Sequence, residues 1–351
     1  RERQVVIDMK EERDTKGAKL FEILSDKTKK MIAYALEHNE SVFLYSLRKG
    51  LAGITVCHDC GHTLLCPNCT TPIVLYGSKQ RTATKTEGNR VFMCNKCGHK
   101  EITEIRCPDC TSWNLTPIGI GADRVYEAVK KEFPTATILS IDKESTPTEK
   151  EAREAIKTLQ GNKGAILIGT ELAFSYLSTP VTHSAIISLD GLLSIPSFNM
   201  TQKIIHIIEK LHTLTERNLI IQTRIPDNHI LECILSGNVL PLYREDLRER
   251  KQFGYPPFRR LIKITFTGTA GETEKARALL DALLGEYDPQ IFSAFVGKVR
   301  GQYVTNTVIK VDPTLWKIPS KENEPRENHL LSKLLELPPG FSINVDPEDL
   351  L

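Results

Sequence analysis

The chain has 351 residues, 40% of them hydrophobic and 26% charged, with 46 Lys and Arg against 44 Asp and Glu for a net charge of +2. That size accommodates two or three domains with their own cores, and the balanced charge excludes a globally basic nucleic-acid binder, so any contact with nucleic acid must come from local patches. The opening "RERQVVIDMKEERD" has no apolar signal region and no window approaches the roughly 18 apolar residues of a membrane helix, so we expect a cytoplasmic protein without a membrane partner.

With Arg1 in place of Met, we expect either a fragment or a processed chain. Ser25 or Asp26 is placed to cap a helix carrying Met31, Ile32, Ala35 and Leu36, which gives way to the apolar run "SVFLYSL".

Next come four C-x-x-C pairs. Eight of the nine cysteines lie in them: Cys57/Cys60, Cys66/Cys69, Cys94/Cys97 and Cys107/Cys110. A C-x-x-C turn sets two thiolates on one side of a tight knuckle, and two knuckles complete a closed tetrahedral zinc site, so eight ligands predict two Zn²⁺. Only five residues separate Cys60 from Cys66, too few to turn one knuckle onto the next. The remaining pairings are nested (Cys57, Cys60, Cys107 and Cys110 in site 1; Cys66, Cys69, Cys94 and Cys97 in site 2) or interleaved. The nested one needs no threading of loops and is preferred. His58, His62 and His99 flank knuckles whose ligand sets are already full, and Cys233 reads as a buried apolar residue in a helix. Between the inner knuckles, Lys79, Arg81, Lys85 and Arg90 form either a solvated hairpin tip or a basic finger for phosphates.

After the cluster, helix and strand alternate. "ADRVYEAVKKEF" precedes the strand "ATILSID", "TEKEAREAIKTLQ" precedes "AILIGT", and "SAIISLD" is followed by a helix from about Met200 to Glu216 and by "NLIIQT". Near-continuous apolar strands spaced by helices predict a parallel α/β sheet buried on both faces, with the cysteine module inserted after its first strand. In "GIGADRV", Gly119, Gly121 and Arg124 could approach a phosphate, but a plain strand-to-helix turn capped by Asp123 is the better reading. From about residue 224 the pattern changes to two helices, the turn "FGYPPF" and a small α+β domain. "YREDLRERKQFGYPPFRRLIK" holds seven basic and three acidic residues among Tyr243, Phe253, Tyr255 and Phe258. Arg248, Arg250, Lys251, Arg259 and Arg260 are candidates for nucleic-acid contact there, as are Lys298 and Arg300 beside Tyr303.

Taken together, the four C-x-x-C pairs, "PIGIGADRVYEAVKKEFPTATILSID", "ILIGTELA", "IISLD", "LIIQT", "RERKQFGYPPFRRL" and the closing "INVDPEDLL" resemble, in order and spacing, the C-terminal half of the PriA (primosomal protein N′) family of replication-restart helicases. The resemblance implies a RecA-like second helicase lobe interrupted by a two-zinc module: lobe segments 1–54 and 117–224, the zinc insertion 55–116, a helical connection 225–260 and an α+β domain 261–351. It also implies nested zinc pairing, binding of branched or single-stranded DNA, and partnership with replication-restart proteins and the single-strand-binding protein.

The departures bear on the motor. No G-x-x-x-x-G-K-[ST] loop occurs, "LAFSYLSTP" stands where the family has a Lys-Gly-His-Asp-like stretch, and Gly191 follows Asp190 where an acid is expected. "HIIEKLHTLTERN" replaces the family's Arg-rich segment, leaving Arg217, which reads as a cation at a helix C-terminus. These losses argue against ATP binding and hydrolysis by this chain and for a DNA-holding scaffold. The alternatives are the C-terminal part of an active helicase whose first lobe lies upstream, or a protein–protein adaptor.

Overall fold

The computed structural model describes residues 4–12, 22–48, 53–68, 70–77, 90–94, 99–101, 105–143, 145–146, 148–161, 164–195, 197–293, 302–314, 316, 329–348 and 350. Its chain divides into two compact units, Arg1–Pro196 with Gln202–Gly237, and Ser197–Thr201 with Asn238–Leu351.

The first unit runs β1 (Gln4–Asp8), α1 (Asp26–Glu37), β2 (Val42–Tyr45), then the cysteine module with β3 (Ile54–Cys57), β4 (Val74–Gly77), β5 (Arg90–Met93), β6 (Lys100–Glu101) and β7 (Leu115–Ile118). It continues with α2 (Ala122–Glu132), β8 (Thr137–Ile141), α3 (Glu149–Gly161), β9 (Ala165–Gly169), α4 (Glu171–Phe174), β10 (Val181–Ile186), α5 (Leu189–Leu193), α6 (Met200–Leu214), β11 (Thr215–Thr223) and α7 (His229–Ser236). Six strands form one sheet in the order β1-β11-β10-β2-β9-β8, and every neighbouring pair is parallel.

β2 and β9 are buried at every position because their runs "VFLY" and "AILIG" are covered on both faces. Val42 and Leu44 join the core with Ile32 and Ala35 of α1 and Val125 and Val129 of α2. Phe43 and Tyr45, pointing the other way, meet the ring of Phe174 in α4. Two strands precede the insertion, not one: "QVVID" pairs with β11 as an edge strand. The helix expected to reach Glu216 stops at Leu214, and β11 starts at the next residue.

Ser25, not Asp26, caps α1, accepting from the Thr28 amide. That cap is anchored by Gln222, fully buried on β11. Its Oε1 accepts from Ser25 N (2.8 Å) and Thr28 Oγ1 (2.7 Å), and its Nε2 donates to the carbonyls of Ile23 (2.8 Å) and Ile187 (2.9 Å). Replacing Gln222 with Leu strands these groups without water, and we expect thermal or urea unfolding to report a loss of about 2–3 kcal/mol.

The second unit contains α8 (Leu240–Phe253), β12 (Arg260–Gly268), α9 (Ala270–Leu284), β13 (Gln290–Ser293), β14 (Tyr303–Val311), α10 (His329–Leu335) and β15 (Phe341–Val345). From β12 onward the order is β-α-β-β-α-β. With the antiparallel arrangement β13-β14-β12-β15, this is the ferredoxin-like split βαβ topology. Ile262, Ile264 and Ile309 on one sheet face close a core with Leu280 and Leu284 of α9 and Leu330 and Leu334 of α10. No helix among the described residues is long and apolar enough to cross a membrane.

Candidate metal centre

β3 and β7 pair antiparallel, with Cys57 opposite Leu115, so the knuckles following Cys57 and preceding β7 come to the same end of a two-stranded ribbon. There the Sγ atoms of Cys57, Cys60, Cys107 and Cys110 all lie within 4.8 Å of one another, with Cys57–Cys110 at 3.5 Å and Cys60–Cys107 at 3.4 Å. Zn–S bonds of about 2.3 Å in a tetrahedron require sulfur–sulfur edges of about 3.8 Å, so this donor set fits a four-thiolate ion. Among the described residues it is the one His/Cys/Asp/Glu group able to hold a metal. Burial pushes the Cys57 and Cys60 thiols above their ordinary range, whereas the Ser112 amide, bonded to the exposed Cys110, holds that thiol below it. A cation held at the centre would supply the charge that lets all four ionise.

The same backbone device recurs at every knuckle. The amide of each first cysteine donates to the carbonyl five residues on: Cys57 to His62, Cys66 to Thr71, Cys94 to His99 and Cys107 to Ser112, all at 2.8–2.9 Å. In the three knuckles where the residue four positions on is described, its amide returns to the cysteine carbonyl, from Gly61, Thr70 and Thr111. Those three residues have left-handed backbones, with φ of 77°, 55° and 60°. Glycine takes this conformation freely, but a β-branched threonine does so only where its surroundings impose it, as a closed knuckle does.

Side chains lace opposing knuckles together. Asp59, two residues after Cys57, accepts from Ser112, five residues after Cys107, and from Asn114 Nδ2 at 2.9 Å. Reciprocally, Asp109, two residues after Cys107, pairs with His62 Nδ1, five residues after Cys57, at 2.8 Å. The inner knuckles repeat the pattern: Asn68, two after Cys66, comes within 3.4 Å of His99, five after Cys94. Cys66 and Cys94 are both buried and share an apolar cluster with Leu64, Ile73, Phe92 and Leu115. Cys69 and Cys97 lie outside the described residues, as do Lys79, Arg81, Lys85, Lys298, Arg300 and the side chain of Arg90.

The remaining candidates separate. Arg124 is exposed on α2, in an open groove of about 1230 Å³ that Lys29 and Arg48 share with Asp123, Glu127 and Asp142, so its lining is of mixed charge. Gly121 is the N-cap of α2 and makes no side-chain cap; Asp123 sits in the first turn, correcting the capping role expected for it. In the second unit Arg248 and Lys251 are exposed, whereas Arg250 is buried against Asp246 at 2.8 Å and under the ring of Phe198. Arg259 and Arg260 pair with Asp312 and Asp346, both at about 3.3–3.4 Å. Tyr255 stacks on Phe198 with Lys310 over its ring, which commits it to the unit's own packing. Arg217 does not end a helix. It lies on β11 and pairs with Glu40, whose other oxygen meets the buried His183 at 2.7 Å. Cys233 is buried in α7, as expected of an apolar position.

No family model matches the chain. It is similar to Replication restart protein PriA of Bacillus subtilis (strain 168), 25% identical over 346 residues that make up 94% of this chain and 40% of that protein. The PriA proteins of Thermotoga maritima (28% over 303 residues; 84% and 40%) and Chlamydia trachomatis serovar D (29% over 290 residues; 78% and 37%) align comparably. The chain is thus similar to the PriA replication restart proteins over most of its own length, while spanning about two fifths of theirs.

Proposed function

We propose that this chain serves replication restart as a PriA-like, zinc-stabilised element that holds branched or single-stranded DNA, with no ATPase or helicase activity of its own. The observation that carries the reading is the outer four-cysteine cluster, closed between knuckles far apart in sequence, in a chain whose curated relatives are replication restart proteins. The matching backbone bonds at Cys66 and Cys94 and the Asn68–His99 contact support a second, inner zinc site completed by Cys69 and Cys97. The six-stranded parallel sheet supports the reading of the first unit as a RecA-like second helicase lobe. Exposed Arg124, Arg248 and Lys251 are the phosphate contacts we favour, and other restart proteins and a single-strand-binding protein are the partners.

The span of two fifths of its relatives favours one second reading, in which the chain is the C-terminal part of an ATP-dependent helicase whose first lobe lies upstream. Purified chain, mixed with forked DNA, tests both. We expect two zinc ions per chain, fork binding that weakens steeply as salt rises because phosphate contacts release counterions, and no DNA-stimulated ATP hydrolysis. Turnover by this chain overturns the first reading. Restoration of turnover by adding a P-loop lobe in trans supports the second.

A further inference from the structure

Three neighbouring strands, β1, β11 and β10, end together at the C-terminal edge of the parallel sheet, the edge where open α/β sheets usually leave a ligand crevice. Here one guanidinium fills that position. Arg224 follows β11 and is only 3% exposed; its Nη1 donates to the Met9 carbonyl just beyond β1 at 3.2 Å and to the Gly61 carbonyl of the first knuckle at 3.4 Å. Its backbone amide donates to both carboxylate oxygens of Asp190, at 3.1 and 2.9 Å, and the Thr223 hydroxyl donates to the first of them at 2.6 Å. Asp190, equally buried, stands in the first turn of α5, whose cap Ser188 follows β10 by two residues. Burial lowers the proton affinity of the Arg224 guanidinium, and the carboxylates of Asp190 and Asp8 oppose that.

Gly61 immediately follows Cys60. Its φ of 77° is one that other residues rarely adopt, and a Cβ there would lie 3.2 Å from Arg224 Nη1. The knuckle bearing Cys57 and Cys60 is therefore held from outside the module, by a residue far away in sequence. We propose that Arg224 is a positioning residue for the outer metal site, coupling ion binding by Cys57, Cys60, Cys107 and Cys110 to ordering of the Asp190 turn of the sheet. This rests on the reading of that cluster as a metal site. Linkage makes the coupling reciprocal: whatever the guanidinium adds to ion affinity, the ion adds to the stability of the Asp190 turn.

The test is zinc competition against a chelator with the full chain, comparing wild type, Arg224→Met and Arg224→Lys, with the outer binding step assigned by its loss in Cys110→Ser. Groups that orient metal ligands are typically worth 10- to 100-fold in affinity. We expect the outer step to weaken about tenfold or more in Arg224→Met, the inner step to hold, and amide exchange in the loaded protein to quicken at residues 59–62 and 190–192. Arg224→Lys keeps the charge but not the fork that spans two carbonyls, and should remain weakened. If Arg224→Met does not fold, Arg224→Gln, which keeps a single short donor, takes its place and should weaken the outer step alone. Equal weakening of both steps, or a lowered melting temperature with the outer step unmoved, overturns this inference and leaves the metal reading standing. Wild-type chain that takes up no metal overturns both.

Discussion

Replacing Cys107 with serine is expected to cut bound zinc from two ions per chain to one and to unfold the ribbon that carries the outer knuckles. Cys107 is buried, 3.4 Å from Cys60, at the point where two knuckles 47 residues apart in sequence meet. A serine hydroxyl does not ionise near neutral pH, so the ion loses a quarter of its donors and a compensating charge. Structural zinc contributes about 10–16 kcal/mol of apparent binding free energy at neutral pH, and since the cage does not exist in the unfolded chain, that energy is folding energy. The apolar cluster around it, chiefly Leu64, Ile73, Phe92 and Leu115, is too small to hold five short strands without that contribution. Metal analysis and exchange of the β3 and β7 amides read the outcome. Cys233→Ser is the control: that thiol is buried in α7, and its replacement should leave the zinc content at two while costing about 1 kcal/mol of stability. A Cys107→Ser chain that keeps both ions sinks the nested reading.

The closure of the outer knuckles on each other was within reach of the sequence for a reason beyond loop threading. Both outer knuckles read C-x-D-C, with Asp59 and Asp109 at the third position, while the inner ones carry Asn68 and Lys96 there. Those aspartates are the residues that reach across to Ser112, Asn114 and His62, so the shared letter marks the partners. β2 and β9 were legible because burial on both faces leaves no room for polar residues. "QVVID" was not, since an edge strand of five residues between charged neighbours carries little pattern. Arg217 was misassigned because α6 and β11 abut without a loop, and "TER" fits a helix tail as well as a strand start. Arg224 had no local signal at all. Its guanidinium acts through Gly61, 163 residues away, and only the closed fold brings them together.

Among the basic residues of α8, alanine at Arg250 should unfold the second unit more readily, while alanine at Arg248 and Lys251 should loosen DNA and leave stability alone. Period and exposure divide them. Leu242, Asp246 and Arg250 share the buried face of α8, whereas Arg248 and Lys251 stand in solvent. Arg250 pairs with Asp246 one turn earlier, its guanidinium lies 5.3 Å from the Phe198 ring, and Nη1 donates to the Pro256 carbonyl at 3.3 Å. A phosphate could reach it only by displacing those partners. Removing Arg250 leaves Asp246 charged in a site without solvent, and breaking a buried pair from one side costs about 3–5 kcal/mol. Surface changes at Arg248 and Lys251 stay within about 0.5 kcal/mol for folding, yet each lost phosphate contact lowers the salt slope of DNA binding by about one. Urea melts and fork-binding titrations at several salt concentrations separate the two effects. An Arg250→Ala chain with unchanged stability and a reduced salt slope would return that arginine to the DNA surface and refute the division.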